Sequence, residues 1–102
     1  MASTLLPAKN PSEVINVTFA YATELGSGET ILSVVVTCVV ISGGVDPNAS
    51  AMLVGIPTIQ LSNVVQEVVA GLDGNSYQLE CLATLSSGRI LARVGILPIT
   101  SN

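Results

Sequence analysis

Cysteine, histidine and carboxylate side chains would carry most of the catalytic or metal chemistry open to this sequence. Its 102 residues include two Cys and seven Asp or Glu, but no His. Without an imidazole, neither a Ser-His-Asp nor a Cys-His arrangement can form. A zinc site usually needs four Cys or His ligands, which Cys38 and Cys81 cannot supply. We therefore expect no enzyme, no metal or other cofactor, and no small-molecule substrate.

Two short segments begin like ligand-binding loops but lack the residues that complete them. The segment from Asp46 to Ser50 starts like a calcium loop, yet Ala51 and Pro57 stand where such a loop needs Gly and Glu. The segment from Gly26 to Thr30 contains no Lys and does not open a helix, unlike a phosphate loop. Both segments are interpreted as turns or connections.

The charge balance argues against nucleic-acid and membrane partners. Only 10% of the residues are charged, and three cations leave a net charge of −4. Nucleic-acid affinity comes mainly from Lys and Arg on phosphate, so this chain offers little of it. The uncharged stretches 30–45 and 47–66 are interrupted by Gly, Pro, Asn or Ser. Neither reaches the ~20 apolar residues of a spanning helix.

The N-terminus predicts a protein that is not exported. Only Leu5 and Leu6 are apolar before Pro7, whereas a secretory signal has ~7–15 apolar residues. We therefore expect synthesis in a reducing cytoplasm, where disulfides are rare. For Cys38 and Cys81 this favours two reduced core thiols, with a disulfide between sheets or a reactive thiol as alternatives.

Alternating apolar positions predict short β-strands. Residues 14–22 place Ile15, Val17, Phe19 and Tyr21 on one face. Residues 77–85 point five side chains inward and leave the polar ones outward. Those inward side chains are Tyr77, Leu79, Cys81, Ala83 and Leu85. Further strands are predicted over 31–41, 52–54, 58–61, 64–70 and 89–99, with a helix over 63–70 as the weaker alternative.

About seven short strands separated by turns predict an all-β fold, an immunoglobulin-like or fibronectin-type β-sandwich. We place this single domain at residues 13–102. Residues 1–12 are predicted to form an extended N-terminal arm, because Pro7 and Pro11 suit neither a helix interior nor a central strand.

The predicted strand 31–41 is apolar on both of its faces. A two-layer sandwich covers only one of them, so the other is expected to meet a partner chain. Two alternative outward sets remain open. One is Ile31, Val35, Val39 and Ile41, and the other is Leu32, Val34, Val36 and Val40.

The segment before the predicted strand 77–85 resembles the tyrosine corner of immunoglobulin-like sandwiches. In that corner a Tyr hydroxyl bonds to backbone a few residues upstream. The resemblance implies structural roles for Tyr77, Leu72 and Gly74. Cys81 lies four residues after Tyr77, whereas the disulfide Cys of antibodies lies two residues after its Tyr.

Nearly the whole chain resembles the small fibre–tail adaptor proteins of tailed bacteriophages. The resemblance is carried by the order of short motifs and not by any single one. These motifs are the arm Leu6–Glu13, the strand Val14–Ala22, the turn and strand Gly28–Ile31, the corner Gly74–Tyr77 and the hairpin Thr84–Arg89. The family often has Trp in its first two strands, where this chain has Phe19 and Val35 or Val36.

The resemblance implies a structural virion protein, made in the host cytoplasm and located at the neck or tail. Identical copies would form a symmetric ring that joins the connector or tail to a fibre or an adjacent ring. The arm, and two cations that share one face of the last predicted strand, supply the candidate interface. Its residues are Leu5, Leu6, Pro7, Lys9, Pro11, Arg89 and Arg93.

Two other functions remain open at this point. A capsid decoration or head-completion protein would use a similar sandwich with a different partner. A carbohydrate- or protein-binding module would need exposed aromatic side chains, and Phe19, Tyr21 and Tyr77 are the only aromatic residues.

Overall fold

A computed structural model describes residues 3–101. Residues 1–2 of the predicted arm and residue 102 of the predicted domain lie outside the described residues. The described residues form seven strands and one short 3-10 turn, Ala49–Met52. The strands are β1 (Ser3–Leu5), β2 (Ile15–Ala20), β3 (Ile31–Ser42), β4 (Leu53–Gln60), β5 (Asn63–Val68), β6 (Ser76–Leu85) and β7 (Ile90–Pro98).

The strands form two sheets that pack face to face. One sheet has four strands in the order β1-β7-β6-β3, and the other has three in the order β2-β5-β4. Neighbouring strands are antiparallel except β1, which runs parallel to β7. The all-β sandwich predicted from the sequence is therefore confirmed, and β5 is a strand and not a helix.

The core lies between the sheets, and β6 contributes the longest run of buried side chains to it. All five of its predicted inward side chains, from Tyr77 to Leu85 at alternate positions, are completely buried. Val17, Phe19 and Tyr21 of the first predicted strand are buried as well. The period-two pattern identified these faces because each strand has one side on the core.

The outward face of β3 matches neither of the two predicted sets. Register shifts occur between Ile31 and Ser33 and between Val40 and Ser42. The first shift buries Ile31, although Ile31 and the outward Val35 are four residues apart and would share a face in a regular strand. A bulge inserts one residue and so reverses which face the following residues occupy. The exposed apolar side chains of β3 are Leu32, Val35, Val39 and Ile41.

The two strands predicted over 52–54 and 58–61 form a single strand, β4. Its pairing with β5 is interrupted between Val54 and Thr58. Pro57 lies in this irregular part, where a missing backbone N–H costs no ladder hydrogen bond. The interruption leaves Ile56 almost fully exposed.

Residues 3–9 are paired with the sandwich instead of extending from it. Leu6 donates its backbone N–H to the Ile96 carbonyl at 2.8 Å, and Lys9 forms a parallel bridge with Ile99. The Leu6 side chain lies over Gly95, where a Cβ would come within 2.9 Å of it. Truncating the predicted arm would therefore remove a strand of the four-stranded sheet.

Leu6 and Leu5 offer a matched test of this packing. Leu6→Ala should lower the free energy of unfolding by about 2 kcal/mol, because Leu6 packs against the core. Leu5→Ala should change it by less than about 0.5 kcal/mol, because Leu5 is exposed. Urea unfolding of both variants measures the difference. Equal effects would contradict the packing of residues 3–9 on β7.

Candidate interaction surface

The outward side chains of the four-stranded sheet are mostly apolar. The register places Leu82 of β6 between Val35 of β3 and Ala92 of β7. Leu5 of β1 lies opposite Ile96 on the same side, and it is 73% exposed. We call this surface the apolar face. Its apolar members are Leu5, Val35, Val39, Ile41, Leu82, Ile90, Ala92, Val94 and Ile96.

The outward surface of the three-stranded sheet differs in composition. Asn16 lies opposite Glu67, Thr18 opposite Val65, and Asn63 at the end of the same ladder. We call this surface the polar face. Large exposed apolar patches on a protein surface usually mark interaction sites, and the apolar face is therefore the candidate interaction surface.

Arg89 does not present a free guanidinium to a partner. Its Nε donates to Glu29 Oε2 at 3.0 Å, and a second nitrogen donates to the Glu24 carbonyl at 2.9 Å. Hydrogen bonds from Arg89, Ser87 and the Gly26 N–H lower the pKa of Glu29 to about 2. This carboxylate is therefore ionised, and the pair intact, over the whole physiological pH range.

Arg93 is likewise held by its own chain. Its Nε donates to the Ala20 carbonyl at 3.0 Å, and it forms an ion pair with Glu24 at 3.2 Å. The guanidinium also lies over the Tyr21 ring, 5.1 Å from its centre. Arg93 thus links β7 of the four-stranded sheet to β2 of the three-stranded sheet.

Lys9 lies inside the fold and not on the predicted interface. It is 1% exposed, and its Nζ donates to the Ala70 carbonyl at 2.7 Å and to the Asn10 carbonyl at 2.9 Å. Burial lowers the pKa of the Lys9 ammonium, and the nearby Glu13 opposes this shift. The two carbonyl oxygens explain how a buried cation is tolerated without a direct carboxylate partner.

The other predicted interface residues of the N-terminal segment lie at different depths. Leu5 points outward on the apolar face, and Pro7 is exposed. Leu6 and Pro11 are half-buried. Of the seven predicted residues, the structure therefore brings Leu5 alone onto the apolar face.

The Tyr77 hydroxyl joins three segments at one end of the sandwich. It accepts a hydrogen bond from the Leu72 N–H at 3.0 Å and donates one to Asp46 Oδ2 at 2.7 Å. Burial raises the pKa of Tyr77, so the hydroxyl stays protonated and able to donate. Gly74 lies in the turn before β6, where its N–H donates to the Ile99 carbonyl at 2.9 Å.

Asn75 is a part of this corner that the sequence analysis missed. Its side chain both accepts from the Gly44 N–H at 2.8 Å and donates to the Gly44 carbonyl at 2.9 Å. Gly43 has a φ of +102°, and a Cβ there would lie less than 3 Å from Asn75. The Gly43-Gly44 pair was the available signal, but pairing it with Asn75 requires the fold.

The described residues show few groupings suited to catalysis. No group of three His, Cys, Asp or Glu side chains in residues 3–101 is placed to hold a metal ion. A hollow of about 330 Å³ between the N-terminal segment and β2 has Glu13 as its single ionisable lining residue. None of the described helical segments is long and apolar enough to cross a membrane. Cys38 and Cys81 are buried free thiols on neighbouring strands of one sheet.

Fold and surface together define an all-β interaction domain, a sandwich with one outer sheet surface left apolar. The sequence profile of the family described as podophage GP4 fiber-tail adaptor protein gp77 matches residues 9–98, and the chain belongs to that family. This confirms the resemblance seen in the sequence. The chain is thus a structural protein of the podophage tail that interacts with other tail proteins. No curated protein and no solved structure matches it.

The corner can be tested by removing one oxygen. Tyr77→Phe leaves the Leu72 N–H and Asp46 without their buried partner, so the free energy of unfolding should fall by about 1–2 kcal/mol. Asp46→Asn keeps a side-chain oxygen that can accept from Tyr77, and it should cost less. Chemical denaturation of both variants measures this. An unchanged stability of Tyr77→Phe would contradict a stabilising role for the corner.

Burial of the thiols predicts a loss of stability in alkaline solution. Burial, with a smaller contribution from Asp46, raises the pKa of Cys38 to about 11, and burial also raises the pKa of Cys81. Unfolded thiols ionise near ~8.5, so the unfolded state loses these protons first as the pH rises. The free energy of unfolding should therefore fall between about pH 8.5 and 11.

Urea unfolding at a series of pH values measures this decline. Cys38→Ala is the control, and its decline should be shallower because one of the two thiols is gone. A profile that is the same for Cys38→Ala and the wild type would contradict the contribution of Cys38.

Proposed function

We propose that this chain is a ring-forming adaptor at the neck or tail, whose copies join the connector or tail to a fibre or an adjacent ring. The apolar face is the observation that carries this proposal. Val35, Ile90 and Leu5 are each at least 60% exposed there. Burial of such a surface against another protein is favourable by roughly 25 cal/mol per Å² of apolar area. The function is thus attachment through surface complementarity.

The composition of this surface supports a protein partner. The cores of protein interfaces are depleted in charged residues, and Glu80 is the single charged residue among the outward side chains of the apolar face. The polar face carries Asn16, Thr18, Asn63 and Glu67, with Val54 and Val65 as outward apolar residues and Ile56 exposed at its edge strand. The two outer surfaces of the sandwich therefore support different roles in an assembled particle.

The edges of the four-stranded sheet support a ring. Its edge strands are β1 and β3, and each has one side unpaired within residues 3–101. β3 is 12 residues long and contains no charged side chain that would discourage pairing. Because β1 and β3 run in the same direction, β3 of one copy can pair with β1 of the next. Such a head-to-tail contact closes into a ring when the rotation between copies allows it.

The strand order supports an immunoglobulin-like assignment of this scaffold. Strands β2-β5-β4 and β7-β6-β3 have the order of strands B-E-D and G-F-C in immunoglobulin domains. The hydroxyl of Tyr77, near the start of β6, also occupies the place of the tyrosine corner. A rigid scaffold of this kind suits a protein whose role is to hold two others in fixed positions.

The proposal is tested by placing a carboxylate on each outer surface. Val35→Asp should reduce attachment to particles that lack the chain by about tenfold or more, because docking would bury an unpaired charge. Val65→Asp is the matched control on the polar face and should attach normally. Bound copies per particle are counted by quantitative mass spectrometry. Circular dichroism checks that both variants keep the sheet spectrum.

Normal attachment of Val35→Asp would refute the role of the apolar face. Electron microscopy of particles carrying the wild-type chain provides the second measurement. We expect its density in a ring between the connector or tail and the fibre. Density over the capsid surface would refute the adaptor role and favour a decoration protein.

A further inference from the structure

Glu80 is isolated within the apolar face. On β6 it lies between Gln78 and Leu82, with Val94 opposite it on β7 and Thr37 opposite it on β3. It is half-buried, and within residues 3–101 its carboxylate has no hydrogen-bond or ion-pair partner. The one charged group of this surface is therefore unpaired in the part of the chain that the structure describes.

Docking of another protein on the apolar face would remove water from around Glu80. A carboxylate taken out of water is strongly destabilised unless an opposite charge or hydrogen-bond donors replace the water. Ion pairs at the centre of an interface also fix its register and exclude wrong partners. A partner that covers this surface must therefore bring hydrogen-bond donors or a positive group to Glu80, and a Lys or Arg side chain supplies both.

A second copy of this chain is poorly suited to supply that group. Two copies related by a two-fold axis that passes near Glu80 would bring their Glu80 carboxylates toward each other. The chain has only three cations, Lys9, Arg89 and Arg93. Lys9 is enclosed by the fold, and each Arg is already paired with a carboxylate of its own chain. A different protein meets the requirement without breaking these pairs.

We propose that the apolar face docks a different tail protein, one that presents an apolar surface with a Lys or Arg opposite Glu80. This inference rests on the proposed function, because it identifies the partner of the same surface. It also divides the contacts of the adaptor. The edges β1 and β3 serve contacts between copies, and the apolar face serves the other protein.

The test uses particles assembled without the chain and the purified full-length chain. Wild type, Glu80→Gln and Glu80→Lys are each added, and the bound copies per particle are counted. Glu67→Lys is the matched control, because Glu67 is also on a central strand, lies on the polar face, and has no partner for its carboxylate within residues 3–101. Glu80→Lys should attach about tenfold less or worse, since it sets two cations against each other. Glu80→Gln should attach less than wild type, and Glu67→Lys should attach normally.

The outcomes separate this inference from the proposed function. If Val35→Asp fails to attach but Glu80→Lys attaches normally, the apolar face is the docking surface, and the proposal of a Lys or Arg opposite Glu80 is refuted. Normal attachment of Glu80→Gln would also refute the cation, because neutral donors would then suffice. If both Val35→Asp and Glu80→Lys attach normally, the proposed function of the face is refuted as well.

A cross-linking experiment tests whether the partner is a different protein. A photoreactive amino acid replaces Leu82, which lies next but one to Glu80 on β6 and is 38% exposed. After irradiation of assembled particles, mass spectrometry identifies the cross-linked peptides. Cross-links to another tail protein, at a segment containing Lys or Arg, are expected. Cross-links between two copies of this chain would refute the proposal.

Discussion

A two-layer sandwich has one core, and this constraint governs the rest of the molecule. Each strand can bury only one of its two faces inside the domain. On β2 and β5 only one face is mainly apolar, because polar residues such as Asn16 and Glu67 alternate with buried ones. The chain exceeds the limit on β3 and β7, which have apolar side chains on both faces. The excess apolar surface is exposed in the single chain, and only another chain can bury it.

The few charged side chains are distributed according to the same constraint. Arg93 and Arg89 are bound to Glu24 and Glu29 near the open side of the sandwich, and Lys9 closes the N-terminal segment onto the Ala70 carbonyl. The cations therefore strengthen contacts within the chain. Glu80 is unpaired within the described chain, as Glu67 is, but it differs from Glu67 because it is half-buried among apolar side chains. Isolated charges on interaction surfaces contribute more to the choice of partner than to affinity.

Local patterns in the sequence predicted the parts of the fold that depend on local geometry. Alternation located β2 and β6 and their buried faces, because the side-chain period of a strand is a property of the backbone. Alternation failed on β3, since one inserted residue at its start reverses the faces that follow. In β4, four residue steps stand against two of β5, and this irregular part made one strand look like two. The pairing of β1 with β7 and the burial of Lys9 depend on partners about 90 and 60 residues away. The outward position of Glu80 was visible in the alternation, but its isolation required the composition of the neighbouring strands.

The two proposed kinds of contact are geometrically compatible. Pairing of β3 with β1 of the next copy would continue the four-stranded sheet from one subunit to another. A continued sheet keeps its two surfaces on opposite sides, so the apolar faces of all copies would point to the same side of the ring. The ring would then present a continuous apolar band with one Glu80 per copy at regular intervals. A partner with repeated cations at matching spacing would bind such a band in one register only, and this is what a joint between two symmetric parts of a tail requires.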